Sequence, residues 1–166
     1  MTIRTRRSKL DRKYKSPKDG YTANEIIGLA TNILGEQWVR DSASVTDPNA
    51  GKAYLKTWLS TEPSEVFAVV YLDGRHRVLS SEIVFRGTID GASVHPREIV
   101  RRALAHNAAA VIVAHNHPSG VAEPSAADIA ITRRLADALA LVDVRLLDHF
   151  VIGDDEPISM ASRGLL

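Results

Sequence analysis

Residues 109–128 read AAVIVAHNHPSGVAEPSAAD, and this stretch decides the fold. The run from Ala109 to Ala114 is apolar without alternation. A strand covered on both faces reads this way, so the run predicts a central parallel strand. Residues two apart on a strand project to the same side, so His115 and His117 share a face where the apolar run ends. Pro118 and Gly120 turn the chain. Ser125-Ala-Ala-Asp128 then opens a helix as a capping-box variant, with Ile129, Ile131, Leu135 and Leu139 behind it.

Working outward, the period of the apolar residues sorts the rest of the chain. Thr22-Ala23-Asn24-Glu25 is a capping box, followed by Ile26, Ile27, Ala30, Ile33 and Leu34 at helical spacing and Gly35 as a stop. Asp47-Pro48 starts a second helix presenting Tyr54, Leu55, Trp58 and Leu59. Residues 65–72 (EVFAVVYL) are strand-like, Asp73-Gly74 is a hairpin turn, and residues 76–85 return. Residues 93–106 read as a helix with Pro96 early in it, and residues 144–152 as a final strand followed by a short tail. The expected fold is therefore α/β, a mixed sheet with helices on both faces.

The 166 residues suit one domain plus a tail, and 45% apolar with 25% charged residues is ordinary for a globular protein. Residues 1–20 hold eight Lys/Arg against two Asp, a charge of +6 that leaves −5 on the remainder of a chain whose total is +1. This predicts a basic disordered tail over residues 1–20 and a folded domain over residues 21–166. No apolar run approaches a membrane span, and no apolar stretch follows the basic start as a secretory signal requires, so a cytoplasmic protein is expected.

The chain has no cysteine, so a metal must be held by nitrogen and oxygen. The strand end places His115 and His117 at the carboxyl edge of the sheet, where loops diverge and ligands bind. The first turn of the next helix brings Asp128 back beside them. Two imidazoles and one carboxylate leave a fourth position for water, the arrangement of a catalytic zinc site, although histidine and carboxylate suit other divalent metals too. Hydrolysis needs a general base near that water, and Glu82 on the return strand, on one face with Val78 and Val84, is the candidate.

The pattern His-x-His, seven residues, Ser, two residues, Asp at His115, His117, Ser125 and Asp128, with an upstream Glu, resembles the JAMM signature of metal-dependent isopeptidases. Phe85-Arg86-Gly87-Thr88, Asn107-Ala108-Ala109-Ala110, the HNHPSG loop, Glu123-Pro124-Ser125 and Leu147-Asp148-His149 resemble the RadC-like branch of that JAB/MPN family, over residues 22–166. The resemblance implies a fold similar to that of cytidine deaminases. It implies metal ligation by His115, His117 and Asp128, a serine at Ser125 that positions water or supports an oxyanion, and Glu82 as general acid/base. Longer RadC-like chains carry an N-terminal helix-hairpin-helix domain for which this sequence has no counterpart.

Ser125 and Asp128 alone read as a cap; joined to His-x-His at this distance they read as cap and ligand at once. His149 lies in an apolar strand, where a lone histidine is more often structural, and Asp148 is placed to orient a histidine. His76, His95 and His106 are expected to face water. A zinc metallopeptidase or isopeptidase acting on an unknown protein or peptide is the first functional expectation. A DNA-associated accessory protein, binding through its basic arm with a structural or vestigial metal site, is the second. Nucleobase deamination is excluded, since it needs His-x-Glu and Pro-Cys-x-x-Cys.

Overall fold

The computed structural model describes residues 20–40, 48–87 and 94–166, with side chains from 36–40 and 48–50 left out. The basic segment ahead of Gly20 therefore lies outside the described residues, as does Asp47, the expected cap of the second helix. The elements run α1 (Ala23–Arg40), α2 (Pro48–Leu59), β1 (Val66–Leu72), β2 (Val78–Arg86), α3 (Pro96–Ala105), β3 (Ala110–Asn116), α4 (Ala126–Ala140), β4 (Arg145–Ile152) and β5 (Ile158–Ser159).

The five strands form one sheet in the order β2-β1-β3-β4-β5. β3 is the central strand, antiparallel to β1 and parallel to β4, so the sheet is mixed. Its side chains alternate between two cores. Ala110, Ile112 and Ala114 join Tyr54, Leu55 and Leu59 of α2 on one face. Val111 and Val113 join Ile99 and Ala103 of α3 and Leu135 and Leu139 of α4 on the other. Burial on both faces is why β3 lacks alternation in the sequence.

Three details differ from the sequence reading. Helix α1 passes through Gly35 to Arg40. A Cβ at Gly35 would stand 3.1 Å from Tyr54 Cε2, so this glycine serves the close approach of α1 to α2 rather than a stop. The tail after β4 contributes the two-residue strand β5, too short to show periodicity. Irregularities in the β1–β2 ladder interrupt the alternation of β2, so Val78 packs with the α2 core and Val84 with the α3/α4 core. The two valines expected on one face lie on opposite faces.

Both turn signals hold. Thr22 and Glu25 form a reciprocal cap at α1. Asp73 accepts hydrogen bonds from the backbone of Arg75 and Arg77 and holds the β1–β2 hairpin. Among the described residues, no helix is long and apolar enough to cross a membrane.

Candidate metal centre

The site forms where β3 ends and α4 begins. His115 is 1% exposed at the end of the strand, and its ring stacks on Phe67 of β1 at 6.2 Å between centroids. His117 follows the strand, and its backbone N–H donates to Ile152 O of β4 at 2.8 Å. The turn beyond it closes through Gly120 N–H to His117 O, and Asp154 N–H donates to Gly120 O at 2.8 Å. Gly120 has a φ of +83°, a left-handed conformation that glycine adopts without penalty. Gly153 lies against this turn so closely that a Cβ there would come within 2.8 Å of Ala122 N.

Ser125 caps α4 in a full capping box: its hydroxyl accepts from Asp128 N–H while the Asp128 carboxylate accepts from Ser125 N–H at 2.7 Å. The Ser125 hydroxyl also donates to Asp128 Oδ2 at 2.6 Å. Held in this way, Asp128 turns its other oxygen inward, with Oδ1 3.3 Å from His115 Nε2.

His115, His117 and Asp128 are the group, among the described residues, that could hold a metal ion, with ligand atoms all within 4.8 Å of one another. The two Nε2 atoms are 2.9 Å apart, Asp128 Oδ1 lies 3.3 Å from His115 Nε2, and Asp128 Oδ2 lies 3.6 Å from His117 Nε2. Ligands at 2.0–2.1 Å on a tetrahedral ion stand roughly 3.3 Å from each other, so the separations between the three groups suit a single zinc ion. The His117 Nδ1 hydrogen donates to Val121 O at 2.8 Å, which leaves Nε2 as a lone pair facing the other two groups. The residues fit a divalent ion.

Charge agrees with that fit. Burial opposes ionisation of Asp128, but the adjacent His115 ring and the hydrogen bonds from Ser125 outweigh it and hold the carboxyl well below the usual carboxylate range. Behind His115 lies His149, fully buried, with Nε2 2.8 Å from His115 Nδ1 and Nδ1 2.6 Å from Thr132 Oγ1. Burial first, and then the neighbouring His115, push the His149 imidazole far below the usual histidine range, so it is neutral.

Asp148 is the group expected to orient a histidine side chain, but the side chain that meets the His115 ring is His149. The Asp148 carboxylate instead accepts from the backbone N–H of His149 and Ala161 and from the Ser159 hydroxyl, tying β4 to the segment that carries β5. Of the other histidines, His95 is exposed, His76 bonds Arg145, and His106 stacks on Tyr71 at 4.5 Å.

Glu82 lies apart from this group. It pairs with Val69, which pairs with Val113, so it is two strands across and two residues down from His115. Sheet spacings make that about 12 Å between Cα atoms. Its carboxylate is ion-paired with Arg102 of α3 and lies 3.6 Å from His106 Nε2.

A different carboxylate, Glu65, lies just ahead of β1, the strand paired with the one that carries His115. Phe67 pairs with His115 in the antiparallel β1–β3 ladder. The ladder ends there, and continuing the alternation of β1 back from Phe67 puts Glu65 on the same face of the sheet as His115. Asn116, between the two histidines and 4% exposed, anchors this segment. It accepts from Val66 N–H at 2.8 Å and donates to Glu62 O and Ser64 O. The signal that locates Glu65 is the pairing of β1 with β3, which a single sequence does not display.

An α/β domain with a two-histidine, one-carboxylate centre at the carboxyl end of its middle strand is the class defined by fold and site. The RadC-like JAB domain model matches residues 45–165. UPF0758 proteins of Halorhodospira halophila and Azotobacter vinelandii are 63% and 57% identical over 140 and 141 residues, 84% and 85% of this chain. A third, from Nitrosococcus oceani, is 66% identical over 122 residues, 74% of this chain and 54% of its own length. The chain belongs to the RadC-like JAB domain family. It spans about three-fifths of the first two relatives, 62% of each.

Proposed function

We propose that this domain is a zinc-dependent hydrolase of the peptidase or isopeptidase type, with His115, His117 and Asp128 as ligands. The observation that carries the reading is the spacing of those three donor atoms, which suits one tetrahedral ion and leaves a position open. A divalent ion held there supplies Lewis-acid chemistry, polarising a carbonyl and making water a nucleophile at neutral pH.

The protein's own groups do the rest. The Glu65 carboxylate, two residues ahead of the Phe67 that pairs with His115, takes the proton from the attacking water and delivers it to the leaving amine. We assign this role to Glu65 in place of Glu82, because Arg102 and His106 hold the Glu82 carboxylate on another part of the sheet. The Ser125 hydroxyl spends its hydrogen on Asp128 Oδ2 and fixes the angle from which that carboxylate reaches inward. Phe67 walls the buried side of His115 and excludes water there.

Metal content by mass spectrometry on wild type and His117→Ala is the test. About one zinc per wild-type chain, absent from the variant together with hydrolysis of peptide or isopeptide substrates, is expected. A wild type that takes up no zinc when offered it, or a variant that still hydrolyses, overturns the reading. The charge of residues 1–20 favours a second, nucleic-acid-binding reading. It predicts a salt-dependent shift of labelled DNA that is lost on deleting those residues, and equal weak binding by both forms at ~0.15 M salt overturns it.

A further inference from the structure

We infer that His149 and Thr132 are positioning residues that lock His115 in the tautomer whose metal-facing nitrogen is a lone pair; the inference rests on the metal-centre reading above. A histidine ligand must present an unprotonated nitrogen, so the proton of the neutral ring must sit on the other one. At His117 a backbone carbonyl enforces this outright, because a carbonyl can only accept. His115 has no such partner. Its Nδ1 faces another imidazole, which can either donate or accept, and so the tautomer is decided one step further back.

That step is Thr132. Its Oγ1 lies 2.5 Å from Asp128 O, the carbonyl one helical turn earlier, and 2.6 Å from His149 Nδ1. A hydroxyl has one hydrogen, and a carbonyl cannot supply one. With the Thr132 hydrogen on Asp128 O, the hydroxyl oxygen accepts from His149 Nδ1–H. His149 Nε2 is then an acceptor, His115 Nδ1 carries the hydrogen it accepts, and His115 Nε2 is left bare beside His117 Nε2 and Asp128. The reverse polarity would put a hydrogen on His115 Nε2, into the space between the three ligand atoms.

Every member of the chain is shut away from water. Thr132 and His149 are fully buried and His115 nearly so, so no solvent molecule competes to reset the polarity. Phe67 packs edge-on to His149 at 5.4 Å and flat on His115, which keeps both rings from rotating out of line. The residue that begins the relay, Thr132, bonds the carbonyl of the ligand Asp128. One helical turn of α4 therefore supplies both a metal ligand and the hydroxyl that sets the protonation of a second.

The test uses the full chain and two readouts. Long-range proton–nitrogen NMR of the histidine rings in the metal-free protein should show His115 and His149 both protonated at Nδ1 and bare at Nε2. Zinc affinity is then measured by competition with a chelator. His149→Leu removes the acceptor and should weaken zinc on the order of 10–100-fold, the usual cost of losing a group that orients a ligand. His149→Gln, which places an amide oxygen where Nε2 lies, should recover most of that loss. If His149→Leu does not fold, Thr132→Val carries the test, being matched in shape to threonine, with Thr132→Ser as its rescue.

His115 protonated at Nε2 in the metal-free spectrum, or Leu and Val variants that bind zinc as tightly as wild type, overturns the inference while leaving the metal centre intact. A wild type that binds no zinc overturns the centre itself, and the ring spectrum still decides the tautomer.

Discussion

Replacing Gly153 by alanine should loosen the metal centre without touching a ligand. Gly153 follows β4, and it lies between two bonds that fasten the His117 turn to that strand. One runs from His117 N–H to Ile152 O and the other from Asp154 N–H to Gly120 O. An alanine Cβ would stand 2.2 Å from the Gly120 carbonyl oxygen and 2.8 Å from Ala122 N, and both are backbone atoms with no rotamer to yield. The turn must move by several tenths of an ångström or more. Overpacking of this kind costs about 1–3 kcal/mol. Losing the Asp154–Gly120 bond adds about 1 kcal/mol. The total of about 2–4 kcal/mol corresponds to a fall of roughly 5–15 °C in Tm for a domain of this size. Ligand geometry tolerates only about 0.5 Å, so zinc affinity should drop at least on the order of tenfold. Thermal unfolding followed by circular dichroism and chelator competition measure the two effects. Gly28→Ala is the control: it lies inside α1 with nothing within 4 Å of its Cβ. It should raise stability by about 0.5–1 kcal/mol and leave zinc binding alone. A Gly153→Ala protein that melts with wild type and binds zinc equally well would show that this contact does not hold His117.

Three further outcomes follow from the site and the hairpin. Glu65→Gln should keep zinc and lose hydrolysis by about 10²–10⁴-fold, whereas Glu82→Gln should leave kcat near wild type and lower stability by removing the partner of Arg102; parallel kinetics and metal analysis distinguish the two. Ser125→Ala should cost about 0.5–2 kcal/mol as a lost helix cap and also weaken zinc, since Asp128 loses the hydroxyl that aims it; urea denaturation and chelator competition read the two losses. Asp73, held by backbone and side-chain hydrogen bonds from Arg77, has its pKa lowered from 3.8 to about 2. Because the folded value is depressed, its contribution to the hairpin is complete above pH 3.8 and is lost as pH falls through about 2. A carboxyl NMR titration of Asp73 with its midpoint near 4 would refute this.

How much of this was legible beforehand depends on whether a feature is local. The capping boxes at Thr22 and Ser125, the Asp73 hairpin and the doubly buried β3 are each written in a few adjacent residues, and each is present. His115, His117 and Asp128 were also readable, because strand alternation and a helix start fix their relative directions. Features that depend on distant pairing were not. Glu82 looked suitable from its strand alone, but the irregularities in β2 and the arrival of Arg102 from α3 determine what its carboxylate meets. Glu65 gains its place only when β1 pairs with β3, across a hairpin and a helix. His149 read as a buried histidine, which it is, yet its partners Thr132 and His115 come from α4 and β3.

The capping box also bears on how Asp128 would bind a metal. A carboxylate at a coordination site can use one oxygen or both, and two-oxygen binding requires both to face the ion. Here Oδ2 accepts from Ser125 N–H and from the Ser125 hydroxyl, and although it also stands 3.6 Å from His117 Nε2, two of its interactions are already committed to the start of α4. Oδ1 is the oxygen directed at His115 Nε2. The helix cap thus favours single-oxygen binding, which leaves a tetrahedral ion one open position, whereas two-oxygen binding would crowd it. The same two hydrogen bonds draw charge from the carboxylate and stabilise its ionised form, as does the N-terminal end of the helix dipole. A serine read first as a helix cap therefore also governs the number of ligand atoms and the charge offered to the ion. A Ser125→Ala protein carrying cobalt in place of zinc should reveal this as a shift of its visible absorption toward five-coordination, and an unchanged four-coordinate spectrum would separate the cap from the coordination.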